Sequence, residues 1–134
     1  MNRKIVYLMR HGSYDRSTGE LNESGIEKIK EVALLIGSEI DDYVEIYTSP
    51  LTRAVQTGKV LKEVFESLNK NVKIDIADEL ECDEYRIDEF MERVKNFSAS
   101  YIIAISHKPD IEDYLKSIGI YESLNTGGYK RLEI

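Results

Sequence analysis

The chain has 134 residues, 42% of them apolar and 32% charged. That fits one globular domain spanning residues 1–134, within the usual single-domain size of roughly 100–150 residues, and leaves enough chain to bury a sheet-and-helix core without staples. The net charge of −7 argues against nucleic acid or an anionic membrane as a partner, and the single cysteine, Cys82, cannot close an internal disulfide, which fits a reducing compartment.

The start is basic and then apolar, but the apolar run breaks at Arg10 after five residues. A secretory core needs about 7–15 apolar residues and a spanning helix about 20, so the expectation is cytoplasmic residence with no membrane segment. Lys4 to Met9 reads as a continuous apolar strand, the pattern of a parallel strand buried on both faces. Gly12 to Glu20 is a loop. Ile26, Ile29, Ala33, Ile36 and Ile40 then recur at spacings of three and four, which predicts a helix with Asn22 at its cap and Gly37 near its end.

Val44 to Tyr47 is a second strand. Ser49-Pro50 follows it as a helix-start signal, with Ser at the cap and Pro in the first turn. Leu51, Ala54, Val55, Leu61, Phe65 and Leu68 carry that second helix, and Lys73 to Ile76 is a third strand. The acidic stretch Asp78 to Glu84 is a loop, and Ile87, Phe90, Met91 and Val94 mark a third helix. Tyr101 to Ile105 is the fourth strand. Pro109 opens a helix with Ile111, Tyr114, Leu115 and Ile118, and Thr126-Gly127-Gly128 turns into a last strand, Tyr129 to Ile134. The alternation of strands and helices predicts a three-layer α/β sandwich, with a mainly parallel sheet of five or six strands covered by helices on both faces.

The chain has only two histidines, His11 and His107, and each closes an apolar strand. In open α/β sheets ligands bind outside the carboxyl ends of the strands. Imidazole, with an ordinary pKa of about 6.5, is unprotonated near pH 7 and can act as a nucleophile. Guanidinium groups match phosphoryl oxygens with two parallel hydrogen bonds, and a helix start adds backbone N–H donors. His11, Arg10, Arg53 and His107 therefore form a candidate site that grips and attacks a phosphoryl group. Within an acidic chain they supply a local positive concentration.

Arg10-His11-Gly12 after a strand, the string Ser49-Pro50-Leu51-Thr52-Arg53-Ala54-Val55-Gln56-Thr57, and Ser106-His107 together resemble the histidine phosphatase superfamily, in that order. Leu21-Asn22-Glu23-Ser24-Gly25 is similar to the family's "L-T-x-x-G" helix start, with Asn22 in place of Thr. The resemblance covers almost the whole chain and is strongest to the short, phosphohistidine-phosphatase form. It implies a phosphoglycerate mutase-like fold, phosphorylation of His11, and phosphoryl oxygens bound by Arg10, Arg53 and His107, with Gly12 and Ser13 beside them. It also implies a carboxylic acid in the loop after the third strand. Glu79 aligns with that acid and Glu81 is the neighbour able to replace it, although the family's aromatic-glycine continuation is missing. Tyr14, Arg16, Thr126 and Gly127 are weaker candidates for pocket lining, with solvated or plain-turn roles as the alternative.

Other chemistries find no support. Cys82 and Arg86 are four apart and lack the Cys-x5-Arg loop of cysteine phosphatases. No Walker loop, GxGxxG or zinc set is present, so neither metal nor cofactor is expected. The chain between Arg53 and His107 leaves no room for a lid, which favours a phosphohistidine carrier protein as substrate. A small phosphomonoester, or a binding module without turnover, is the alternative.

Overall fold

The computed structural model describes residues 3–134; Met1 and Asn2, part of the basic start read above, lie outside the described residues. The strands are β1 (Ile5–Arg10), β2 (Tyr43–Thr48), β3 (Asn71–Ile76), β4 (Tyr101–Ser106) and β5 (Tyr129–Glu133). The helices are α1 (Glu23–Gly37), α2 (Thr52–Ser67), α3 (Ile87–Val94) and α4 (Lys108–Ser117), with a single 3-10 turn at Asp78–Leu80 inside the acidic loop. The sheet has five strands in the order β3-β2-β4-β1-β5. β1 to β4 run parallel and β5 pairs antiparallel with β1. This is the expected mainly parallel sandwich.

Alternation along the strands builds a core on each face. Ile5, Tyr7 and Met9 of β1 pack with Val44 and Ile46 of β2 against Ile29 and Ile36 of α1 and Leu61 and Phe65 of α2. Val6 and Leu8 face the other way, onto Phe90 and Val94 of α3 and Ile111 and Leu115 of α4. The central strands bury both faces, which is why their sequences are continuously apolar rather than alternating. In α3 the spacing Ile87, Phe90, Met91, Val94 places all four side chains in the core.

Two helix starts behave differently. At α1, Asn22 Oδ1 accepts the Gly25 N–H at 2.7 Å, the cap expected from sequence. At α2 the Ser49-Pro50 signal falls early, because the cap position is Leu51 and no side chain caps it. The Ser49 hydroxyl is instead taken up by a histidine, as described below. A β-carbon at Gly25 would stand 2.1 Å from the Ser13 carbonyl oxygen, so α1 rests directly on the backbone of the loop that follows His11. Gly25→Ala should therefore force the helix start and that loop apart, costing about 1–3 kcal/mol. Urea unfolding should show it as a lower midpoint with an unchanged slope.

Candidate active site

The parallel register between β1 and β4 sets Arg10 opposite Ser106. The next residue on each strand is a histidine, so both imidazoles emerge side by side at the carboxyl edge of the sheet. Their ring centroids lie 5.1 Å apart at an interplanar angle of 55°. Both are almost fully buried, with 4% of His11 and 1% of His107 exposed. The His11 N–H donates to the Ser106 carbonyl at 3.2 Å and the Ser49 N–H to the Ile105 carbonyl at 3.0 Å, so three strand ends are tied into one rim.

The partners of His11 indicate which nitrogen carries the proton. Nδ1 lies 2.9 Å from the Gly12 carbonyl oxygen, which can only accept, so Nδ1 holds the hydrogen. Nε2 receives the Arg53 Nε–H at 3.3 Å and keeps its lone pair toward the site. Burial pushes the His11 pKa down to about 4, the Gly12 carbonyl partly opposes this, and the charges of Arg53 and Arg10 push it further down. His107 is lowered to about 3 by burial, then by His11, Arg53 and Arg10. Both rings are thus neutral near pH 7, and no carboxylate is among the groups that set either one.

The two guanidiniums are held from opposite sides. Arg53 lies in the first turn of α2, with its guanidinium carbon 4.6 Å from the centre of the Tyr14 ring. Tyr14 also meets the His11 ring edge-on at 5.5 Å. Arg10 donates from Nη1 to the Leu124 carbonyl at 3.0 Å, leaving its buried Nε without a partner. His107 Nδ1 is likewise buried and unpartnered. Buried polar atoms are rarely left unmatched, so an open guanidinium N–H and an open ring nitrogen beside His11 suit a polar partner from outside the protein.

The remaining sequence candidates divide. Gly12 donates its N–H to Thr57 Oγ1 at 2.9 Å, and Thr57 donates to the Arg53 carbonyl at 2.7 Å, a link between β1 and α2. The Ser13 hydroxyl accepts from Asn22 Nδ2 at 3.0 Å, so it serves the α1 cap. Arg16 is exposed. The Gly127 N–H donates to the Arg10 and His11 carbonyls at 3.1 and 3.0 Å, with a φ of 75° that favours glycine. The turn at Thr126-Gly127 therefore braces the end of β1.

Glu79, the expected proton donor, has its carboxylate engaged by an arginine. Its carboxylate pairs with Arg93 at 2.5 Å, and Arg93 lies against the rings of Phe90 and Phe97 on the α3 side. Partial burial raises the Glu79 pKa, but the hydrogen bond and charge of Arg93 outweigh it and hold the carboxyl below its ordinary value. A carboxylate kept ionised by a fixed arginine is a poor acid. Glu81 is half-buried at the end of the 3-10 turn. Among the described residues, Cys82, Asp83 and Asp110 come within 4.8 Å of one another, the spacing of a metal set. Their closeness has a structural cause. Asp110 is buried and accepts the N–H groups of Asp83 at 3.0 Å and Tyr85 at 2.8 Å, two residues held at positive φ.

Fold and site together describe an α/β protein with two imidazoles and two guanidiniums gathered at one end of its sheet. The chain belongs to the histidine phosphatase superfamily (branch 1), which residues 6–110 match. No curated protein matches it in sequence. Among solved structures it is similar to the protein histidine phosphatase SixA complexed with tungstate, with a TM-score of 0.77 and 20% identity over 95% of this chain and 86% of that one. A protein from Agrobacterium tumefaciens described as the phosphohistidine phosphatase SixA gives 0.71 and 19% over 96% and 90%. A phosphoglycerate mutase from Plasmodium falciparum gives 0.63 and 20% over 87% and 69%. At these identities the likeness establishes the phosphoglycerate mutase-like fold.

The lowered imidazole pKa values make stability depend on pH. An unfolded chain takes up protons on its histidines near pH 6.5, whereas the folded chain waits until about 4 and 3. Between these limits the unfolded state binds more protons, so folding stability should fall as pH drops from about 6.5 toward 4. Urea midpoints at pH 7.5 and 5.0 test this above the range where carboxylates titrate, and NMR should find both rings neutral at pH 5.0.

Proposed function

We propose that this chain is a phosphatase that carries the phosphoryl group on His11 Nε2 and acts on phosphohistidine borne by another protein. The observation that carries the reading is the His11 ring itself. It is buried, neutral and oriented by the Gly12 carbonyl, with its Nε2 lone pair turned to cationic donors and accepting from Arg53. Attack by Nε2 forms the new N–P bond as the bond to the leaving group breaks. Because Nδ1 keeps its proton, the phosphorylated ring is an imidazolium and a good leaving group for the second step. Water then attacks phosphorus, the N–P bond breaks, and the proton from water passes to phosphate or solvent.

Arg10 and Arg53 offset the charge on the transferring oxygens, and His107 adds a neutral donor. Arg53 must turn its Nε from His11 to the phosphoryl oxygens as the substrate arrives, since both compete for the same space. Substrate choice follows from the engagement of Glu79. An alkoxide needs a proton on departure, and Glu79 is committed to Arg93. A phosphohistidine whose other ring nitrogen is protonated departs as neutral imidazole and needs none. The chain between Arg53 and His107 is used up by α2, β3, the 3-10 turn, the acidic turn, α3 and β4. No inserted segment lies there to fold over the site, and a phosphorylated side chain on a second protein can reach it. The neighbours described as phosphohistidine phosphatases support the same reading.

Incubation with a phosphorylated donor protein should give an acid-labile label on the wild type and none on His11→Ala. Arg53→Ala should slow labelling by about 10²–10³-fold. Glu79→Gln should turn over phosphohistidine within about twofold of wild type and lose about 1 kcal/mol of stability, the upper worth of an ion pair whose arginine is half-exposed. Preference for sugar or aryl phosphates over the phosphohistidine protein would reverse the substrate assignment. Phosphate binding without any label would favour a binding module.

A further inference from the structure

The Ser49 hydroxyl is fully buried and makes two contacts. The Leu51 N–H donates to its oxygen at 3.3 Å, and His107 Nε2 lies 2.8 Å away. Two proton arrangements are open to the second pair. If His107 carried its hydrogen on Nε2, Ser49 would accept from both neighbours and its own buried hydroxyl proton would have no acceptor. His107 Nδ1 would then point a bare lone pair into the cluster. If Ser49 donates to Nε2, Ser49 and Nε2 are both matched, the ring hydrogen sits on Nδ1, and that N–H is the one group left open. Leaving a buried polar group unmatched costs more than making an ordinary hydrogen bond gains, so the arrangement with one open group is favoured over the one with two.

We infer that Ser49 is a positioning residue: by donating to His107 Nε2 it fixes the tautomer that presents an Nδ1–H donor to the phosphoryl oxygens. Nδ1 is the buried atom of His107 that has no protein partner. The charges of Arg10 and Arg53 both act on the ring, so an anion is the partner that its environment favours. The wrong tautomer would turn the same atom from a donor into an acceptor and repel phosphate. Ser49 is held for this task by its own backbone, through the bond from its N–H to the Ile105 carbonyl. The same engagement explains why the helix start read at Ser49-Pro50 is absent and Leu51 takes the cap position. The inference rests on the proposed reading of His107 as a ligand of the phosphoryl group.

The test is direct because the chain has only two histidines. Two-bond proton–nitrogen correlation on ¹⁵N-labelled protein at pH 7.5 reports which nitrogen of each ring is protonated, and His11→Ala assigns the pair. The expected pattern for His107 is a protonated Nδ1 and a bare Nε2. In Ser49→Ala, Nε2–H should appear and inorganic phosphate should bind roughly five- to tenfold more weakly, the worth of one neutral hydrogen bond. Ser49→Thr, which keeps the hydroxyl, should restore the wild-type ring pattern. A wild-type His107 protonated on Nε2 would overturn the inference, as would an unchanged tautomer in Ser49→Ala. If Ser49→Ala does not fold, the wild-type pattern alone decides. Absence of label on His11 would count against the phosphatase reading while leaving the tautomer and phosphate-affinity results to judge Ser49.

Discussion

The parallel pairing of β1 with β4 is the constraint on which the rest depends. Its register places Arg10 beside Ser106, so the histidine that follows each strand leaves the sheet at the same height. Neither imidazole could reach the other from a sheet in sequential order, because β1 and β4 are separated by two strands and three helices in the chain. The order β3-β2-β4-β1-β5 brings them together by inserting the fourth strand next to the first. A slip of one residue would turn every β1 side chain to the opposite face. The two apolar layers therefore hold the register, and the register holds the site.

Around that pair an acidic protein has gathered a cationic cluster. Arg10 and Arg53 stand against both imidazoles, and no carboxylate offsets them there. Burial together with these charges keeps both rings neutral, so the positive charge of the site resides on groups that cannot lose it. Arginine suits this task because its guanidinium stays protonated and its fork matches phosphoryl oxygens. The buried Arg10 Nε and His107 Nδ1 have no hydrogen-bond partner within the protein, which costs some stability.

The loops that bear these groups are held by hydrogen bonds rather than by a large apolar cover. Leu124 and Gly127 clasp the end of β1 through Arg10 and the His11 carbonyl. Thr57 joins Gly12 to α2. Ser106 donates to the Leu80 carbonyl at 2.7 Å, anchoring the acidic turn to the end of β4, and Asp110 accepts from the backbone of the same turn. Asp110 gave no signal of its own in the sequence. Its use as an anchor follows from the positive-φ backbone at Asp83 and Tyr85, which no local pattern announces.

The sequence by itself determined the elements, the layer architecture and the four residues of the cluster. Continuous apolar runs, helical spacing and histidines confined to strand ends are local signals, and burial on both faces of a parallel sheet enforces them. Pairing decided by distance in space was not legible. Glu79 looked like an acid until Arg93, from a helix beyond it, proved to be its partner. Ser49 read as a helix cap until β4 brought His107 to its hydroxyl. Tyr14 gave no strong signal, yet its ring lies against both Arg53 and His11. A side chain's type and its place on an element are written in the chain, but which hydrogen bond or charge it meets depends on neighbours that only the folded sheet supplies.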